Sequence, residues 1–196
     1  MQESLLQKYE EIKNKVVVRR AQLDRLLEYM EKNTSWLTSP ASTKFHLSCE
    51  SGLLIHSLNV CENILKIREA LYPEISEESC VIVALLHDLG KVGMPNNPQY
   101  IPAQPTERQR QYGYGPTNPY IFNNDLVYLS VPIRSIYLSL PFIKLSQEEV
   151  QAIVYHDGQY VDDNKSVATK EEPLTLMLQY ADSWSSFVTE KESRKK

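Results

Sequence analysis

Residues 81–93 read VIVALLHDLGKVG, and they place an unbroken apolar run directly before a histidine, an aspartate and a lysine. The six residues from 81 to 86 have no polar side, which is typical of a helix that is buried on every face. Two glycines just beyond the run are expected to end that helix. The sequence therefore predicts a buried central helix that delivers His87 and Asp88 at its C-terminal end.

Helical patterns continue on both sides of this segment. Apolar residues recur at nearly helical spacing from Leu5 to Met30, so residues 1–33 are predicted to form one amphipathic N-terminal helix. Four more helices are predicted over residues 50–71, 132–140, 147–155 and 171–188. The helix at 147 follows a capping-box pattern, a serine with a glutamate three residues later. The chain has no internal repeat and no second domain, so the pattern favours a single all-α domain over 1–196, with a frayed tail at 190–196.

Residues 94–124 interrupt the helical pattern. This stretch holds six of the 11 prolines and four of the 12 tyrosines of the chain. Such a composition predicts an irregular loop insertion with a small hairpin around residues 113–118. Arg108 and Arg110 lie within it, and the sequence leaves open whether the insertion is a lid over a bound phosphate or a brace or oligomer contact.

Composition excludes several classes of protein. The 196 residues carry 21 lysines and arginines against 25 aspartates and glutamates, a net charge of −4, which argues against bulk nucleic-acid binding. No apolar run approaches the ~18–20 residues that span a bilayer, and the charged N-terminus does not resemble a signal peptide. The three cysteines show no paired spacing, as expected in a reducing cytoplasm.

Four polar residues stand where the pattern predicts apolar surroundings. His56 lies within GLLIHSLNV, Asp182 lies within LMLQYADSW, and His87-Asp88 ends the central helix. Each of these residues alone has an ordinary explanation, as a hydrogen-bonded core histidine or an exposed helix end. Together they need a common one, because burial of an unpaired carboxylate is unfavourable. A divalent metal ion with open positions for water suits two neutral imidazoles and two carboxylates.

The order His, His-Asp, Asp, with HDLGK at its centre, resembles the HD-domain superfamily of metal-dependent phosphohydrolases. Two further stretches resemble a bacterial and phage subgroup of HD hydrolases. They are TSPASTKFHLSCESGLLIHSLNV, over residues 38–60, and IKLSQEEVQAIVYHDGQY, over residues 143–160. EEPLTLMLQYADSW, over residues 171–184, is similar to the last helix of the superfamily.

The resemblance implies an HD-domain helical bundle that holds a metal ion through His56, His87, Asp88 and Asp182. It implies hydrolysis of a nucleotide or a related phosphomonoester or phosphodiester by a metal-activated water. The ion is expected to be Mn, Ni, Co, Fe, Zn or Mg, with one ion favoured and a second left open. A bacterial cytoplasm, or that of a phage-infected host cell, is the expected location.

Other residues receive roles around this ion. Asp88, Lys91 and His156 are expected to be catalytic, with Lys91 near a phosphate oxygen. His156, at a helix end, is expected to protonate the leaving group, while a second-metal ligand and a simple helix cap stay open as alternatives. The candidate substrate contacts are Lys44, His46, Arg134 and Tyr160.

One segment departs from the subgroup. Where relatives carry a Gly-His-Gly-Glu-Lys-Ser-like sequence, residues 129–135 read LSVPIRS, with Arg134 as the nearest cation. This favours, as an alternative, a catalytically weak nucleotide-binding sensor. A 3′–5′ exonuclease is a third alternative, which the net charge disfavours. The expected partner is a small phosphorylated substrate, with no membrane; a homo-oligomer is left open.

Overall fold

The structure is a computed structural model that describes residues 2–191. It is mostly helical, with one small antiparallel hairpin. The helices are α1 (Gln2–Lys13), α2 (Arg20–Asn33), α3 (Gly52–Leu71), α4 (Glu77–Leu86), α5 (Glu107–Gln111), α6 (Val131–Ser139), α7 (Gln147–Tyr155) and α8 (Pro173–Trp184). The strands are β1 (Tyr100–Pro102) and β2 (Tyr120–Phe122). Most of the predicted frayed tail, residues 192–196, lies outside the described residues.

Helix α4 forms the centre of the molecule, as its apolar sequence predicts. Every residue from Cys80 to Leu86 is fully buried. Ser76 caps the start of α4, because its side chain accepts a hydrogen bond from the Ser79 amide at 3.3 Å. Helix α3 packs along α4 and α8, and α7 packs against α8 and α4. Across residues 2–191, no helix combines the length and the apolar character that crossing a bilayer requires.

The predicted single helix over residues 1–33 is wrong, because the structure divides it into α1 and α2. The chain leaves the helix after Lys13 and re-enters it at Arg20. In the break, the backbone N–H groups of Val17 and Val18 donate to the Glu78 carboxylate at 2.9 and 2.7 Å. These two amides would otherwise serve helical hydrogen bonds. Glu78 thus offers the backbone a charged acceptor that competes with a continuous helix.

The insertion at 94–124 contains the predicted hairpin, but its strands lie farther apart in the chain than predicted. Strand β1 pairs antiparallel with β2, and Ile101 lies opposite Ile121. Between them the chain forms α5, which begins with a capping box between Thr106 and Gln109. Residues 113–118, around which the sequence predicts the hairpin, therefore belong to the connection from α5 to β2.

Helix α6 packs closely against the turn of 3₁₀ helix, Leu89–Val92, that follows His87-Asp88. The Ser135 hydroxyl accepts a hydrogen bond from the Gly90 amide at 2.8 Å and donates one to the His87 carbonyl at 2.9 Å. A Cβ at Gly90 would lie 2.2 Å from the Val131 carbonyl oxygen, so only glycine permits this approach. Helix α6 therefore fixes the backbone on both sides of Asp88.

Candidate metal centre

The four predicted metal ligands meet in the interior, although they come from three separate helices. His56 lies in α3, His87-Asp88 follows α4, and Asp182 lies in α8. The His56 Nε2 atom is 3.1 Å from Asp182 Oδ1, 3.3 Å from His87 Nε2 and 3.5 Å from Asp88 Oδ2. The structure therefore directs two imidazoles and two carboxylates at one point.

His156, which follows α7, adds a third imidazole at the edge of this cluster. Its Nε2 atom lies 3.7 Å from Asp88 Oδ1 and 3.7 Å from Asp157 Oδ1. One ligand atom each from His87, Asp88 and His156 falls within 4.8 Å of the others, as do those of His56, His87 and Asp182. Asp157 joins His156 and Asp182 in a further such group. Asp88 and Asp182 thus lie between two overlapping sets of candidate ligands.

The local structure fixes how the three rings face the centre. The Nδ1 atoms of His87 and His156 lie 2.9 and 2.8 Å from the carbonyl oxygens of Ala84 and Ile153, each three residues earlier. A carbonyl oxygen only accepts, so both Nδ1 atoms carry the proton and both Nε2 atoms offer a lone pair. The Nδ1 atom of His56 faces the Glu190 carboxylate instead, at 3.1 Å. All three Nε2 atoms therefore point inward, as metal ligation requires.

The charges of the cluster favour a cation. Burial raises the pKa of the Asp88 carboxyl group, but Lys91 and the neighbouring imidazoles outweigh it, so the pKa lies far below its usual range. The pKa of Asp182 is also lowered, because the hydrogen bond from His56 outweighs the effect of burial. Burial lowers the pKa of His87 to about 4, which keeps this ring neutral and able to bind a metal. Both carboxylates are thus ionised at neutral pH.

The pKa of His56 is shifted in the opposite direction to that of His87. Burial lowers its pKa, but hydrogen bonds to Asp182 and Glu190 outweigh it and raise the pKa to about 10. With no ion bound, the ring therefore carries a proton on Nε2 toward Asp182. A divalent ion would take the place of this proton. The cluster thus offers neutral rings, ionised carboxylates and one imidazole whose proton an ion can displace. This set of ligands fits a divalent cation.

Lys91 lies at the rim of the cluster. Its Nζ atom is 2.5 Å from Asp88 Oδ2, an oxygen that also faces the histidines. Burial lowers the pKa of Lys91, but Asp88 outweighs it, and the pKa rises above its ordinary value. Lys91 also lines the cleft over the cluster. It is therefore a charged donor between Asp88 and the open space of the cleft.

A cleft of about 850 Å³ opens over the cluster. Three aromatic side chains line it, Phe45, Tyr160 and Phe187, with exposed fractions of 62, 93 and 65%. The predicted contact Tyr160 is thus placed at the cleft, while Phe45 and Phe187 are residues that the sequence did not single out. The cleft combines a polar, buried floor with an aromatic rim.

The other predicted substrate contacts have different positions. His46 lines the cleft, and its ring centre is 5.1 Å from that of His56. Lys44 is exposed and lines an adjoining groove, together with Lys91 and Tyr100 of β1. The hairpin therefore borders the site, whereas Arg108, in α5, lines a separate groove.

The prediction that Arg134 contacts substrate is corrected by the structure. Its guanidinium group donates to the carbonyl oxygens of Gly90 and Val127, at 3.0 and 3.2 Å, and contacts the Gln99 side chain. The residue is only 2% exposed. Arg134 thus serves to hold the insertion against the turn after α4. The altered segment 129–135 supplies this support and the Ser135 bridge.

The prediction of a frayed tail from residue 190 is also wrong at Glu190. The residue is 4% exposed, and its carboxylate lies against His56. Little in the sequence marks this residue, because Glu190 is the first residue of the charged stretch EKESRKK. The candidate centre therefore includes a carboxylate from the far end of the described chain.

Comparison with known families agrees with this architecture. Residues 53–125 match the family model of the HD domain, and the match includes His56, His87, Asp88 and Lys91. His156 and Asp182 lie beyond it and reach the same cluster through α7 and α8. No curated protein and no solved structure was found to match the chain. With its helical fold and its buried histidine–aspartate cluster, the chain contains an HD domain, which the family match covers over residues 53–125.

Proposed function

We propose that this protein is a metal-dependent phosphohydrolase that acts on a nucleotide or a related phosphoester. The observation that carries the proposal is the convergence of His56, His87, Asp88 and Asp182 on one buried point beneath an open cleft. A divalent ion held there supplies a bound water of lowered pKa and a positive charge beside a phosphoryl oxygen. We favour one bound ion per chain, with Mn, Ni, Co, Fe, Zn or Mg as candidates.

The side chains around the ligands have the chemistry that phosphoester hydrolysis needs. The Lys91 ammonium group lies on the cleft side of Asp88, which supports a role in binding a phosphoryl oxygen and offsetting its charge. The His156 ring has its Nδ1 proton held by Ile153, so its Nε2 atom is the one that can accept a proton and pass it to a leaving oxygen. Asp157 and His46 line the same cleft.

The aromatic rim supports a nucleotide over a small aliphatic phosphate. Phe45, Tyr160 and Phe187 present apolar ring surface around the cleft, and bases stack readily on such rings. The cleft volume of about 850 Å³ is within the range of small-molecule sites, so a whole nucleoside phosphate has room. The base would thus lie at the rim and its phosphate near Lys91.

The test is turnover by protein stripped of metal and reloaded with each candidate ion in turn. We expect phosphate release from nucleoside phosphates, and from generic monoesters or diesters, only when an ion is present. His87→Ala should abolish it with helical circular dichroism retained, whereas Glu69→Gln, an exposed change on α3, should not affect it. Tight nucleotide binding without turnover under every ion would contradict hydrolysis and favour the sensor.

The choice of substrate has its own test. Tyr160→Ala should lower kcat/KM for a nucleoside monophosphate by about tenfold, since one stacking contact contributes about 1–3 kcal/mol. It should leave kcat/KM for glycerol phosphate, which has no ring, nearly unchanged. Equal losses on both substrates would contradict a base at the rim.

A further inference from the structure

The chain beyond α8 forms an unusual turn. Residues Ser185–Thr189 make one turn of π-helix, in which the Glu190 amide donates to the Ser185 carbonyl, five residues earlier, at 2.9 Å. The Ser185 hydroxyl donates to the Ala181 carbonyl at 2.7 Å and accepts a hydrogen bond from Asn63 of α3 at 2.9 Å. The turn is therefore fastened to the helix that carries His56.

The π turn decides which side of the helix Glu190 occupies. An α-helix advances by about 100° per residue, so eight residues after Asp182 a side chain would lie about 80° away from it. A π turn accommodates one extra residue, which reduces this offset to about 20°. Glu190 therefore returns to the side of Asp182, and both carboxylates meet the same ring of α3.

Glu190 and Asp182 bind opposite edges of the His56 ring. The Asp182 Oδ1 atom lies 3.1 Å from Nε2, and the Glu190 Oε1 atom lies 3.1 Å from Nδ1. Asn59, three residues after His56 on α3, donates to the same Glu190 oxygen at 3.1 Å. The second oxygen of Glu190 is 3.8 Å from His46 Nε2. The carboxylate is thus held from several directions and is buried with the ring.

We infer that Glu190 is a positioning residue for the metal centre, which accepts the Nδ1 proton of His56 and thereby directs the Nε2 lone pair toward the ion. The inference rests on the proposed function, because it concerns the ligand role of His56. A carboxylate on the outer nitrogen fixes the tautomer, orients the ring and strengthens it as a ligand. The rings of His87 and His156 have the same orientation, but their Nδ1 atoms donate to backbone carbonyl oxygens, which are neutral acceptors. Among these three rings, and within residues 2–191, His56 is the one whose Nδ1 atom faces a carboxylate.

The test compares Glu190→Gln and Glu190→Ala with wild type and with Glu69→Gln, which removes the same charge at an exposed position of α3. Co²⁺ binding to the metal-free protein is measured by calorimetry and by the visible spectrum of the bound ion. We expect Glu190→Gln to bind the same number of ions with about 10- to 100-fold lower affinity. Glu190→Ala should lose at least as much, and Glu69→Gln should match wild type.

A second readout does not depend on activity. Long-range ¹H–¹⁵N spectra of the Co²⁺-free, Zn²⁺-loaded protein report which nitrogen of each histidine carries the proton. We expect the Nδ1–H form of His56 in wild type and a changed Nδ1 signal in Glu190→Ala, with the signals of His87 and His156 unchanged.

The outcomes separate this inference from the proposed function. Co²⁺ binding of equal affinity by wild type, Glu190→Gln and Glu190→Ala would overturn the inference and leave the metal site intact. Lower thermal stability of Glu190→Ala with unchanged affinity would assign Glu190 a purely structural role and would also overturn it. Failure of wild type itself to bind any ion would overturn the proposed function, and the inference with it.

Discussion

The Arg19 guanidinium group binds both carboxylate oxygens of Glu149, at 2.7 and 2.6 Å, although 130 residues separate the two in the chain. Its Nε atom donates to Glu78 at 2.7 Å as well. The Glu149 side chain is 1% exposed. A single cation in the break between α1 and α2 therefore joins the first turns of α4 and α7, the two helices that end at His87 and His156.

Removal of this cation should destabilise the fold strongly. Arg19→Ala leaves the buried Glu149 carboxylate without its cationic partner, and we expect the free energy of unfolding to fall by about 3–5 kcal/mol in urea denaturation. Arg20→Ala is the matched control, because the Arg20–Asp24 pair is more exposed and should contribute less than about 1 kcal/mol. Equal effects of the two changes would contradict the assigned role of Arg19.

The same pair predicts a pH dependence of stability. Burial raises the pKa of Glu149, but its hydrogen bond with Arg19 outweighs this, so the folded-state pKa is lower than that of the unfolded chain. The pKa of Glu78 is lowered in the same way. Their stabilisation is therefore complete above the unfolded-state value of about 4.3 and is lost as the pH falls through the folded-state pKa values. As the pH falls from about 6 to about 3, Arg19→Ala should therefore lose less stability than wild type.

The close packing around Gly90 predicts that a larger residue there destabilises the fold next to the candidate metal centre. Gly90→Ala places a methyl group against the Val131 carbonyl and should force α6 away from the turn, which we expect to lower the free energy of unfolding by about 1–3 kcal/mol. Gly115→Ala is the control, because no atom lies within 4 Å of a Cβ at that position. Thermal unfolding of the two variants checks the prediction, and a Gly90→Ala protein as stable as the control would contradict the close approach.

His156 is expected to act on the substrate and to leave the first ion in place. His156→Ala should lower turnover by about 10²–10⁴-fold, as expected for loss of a general acid, while elemental analysis still finds one ion per chain. A fall from two ions to one would show that His156 holds a second ion. Loss of all metal would make it a ligand of the first, and unchanged turnover would reduce it to a helix cap.

The sequence predicted most of the fold because its signals are local. The Ser146 capping box is present as predicted, with the Ser146 side chain bound to the Glu149 amide at 3.2 Å. The apolar run of residues 81–86 required burial, and it is buried. His56 and Asp182 could be singled out as site residues because each interrupts an apolar pattern, and the structure brings their side chains together.

What the sequence could not show depends on distant contacts. The break between α1 and α2 depends on Glu78, some 60 residues later, and no local pattern marks it. Arg134 looked like a phosphate contact because a charge in a sequence does not reveal its partners, which here are carbonyl groups. Glu190 was missed for the same reason, since its position depends on a turn that admits one extra residue.

The contact between His56 and Glu190 spans 134 residues, and it has a consequence for the order in which the protein is made. A nascent chain that has not yet produced α8 has His56, His87 and Asp88 but lacks Asp182 and Glu190. A divalent ion at the proposed centre would therefore bind with full affinity only after synthesis has passed the π turn at Ser185–Thr189. An ion that binds only the native state stabilises it, by about 2.7 kcal/mol at a free ion concentration of 100 times its Kd. Bound metal would therefore be found mainly on chains that have finished folding.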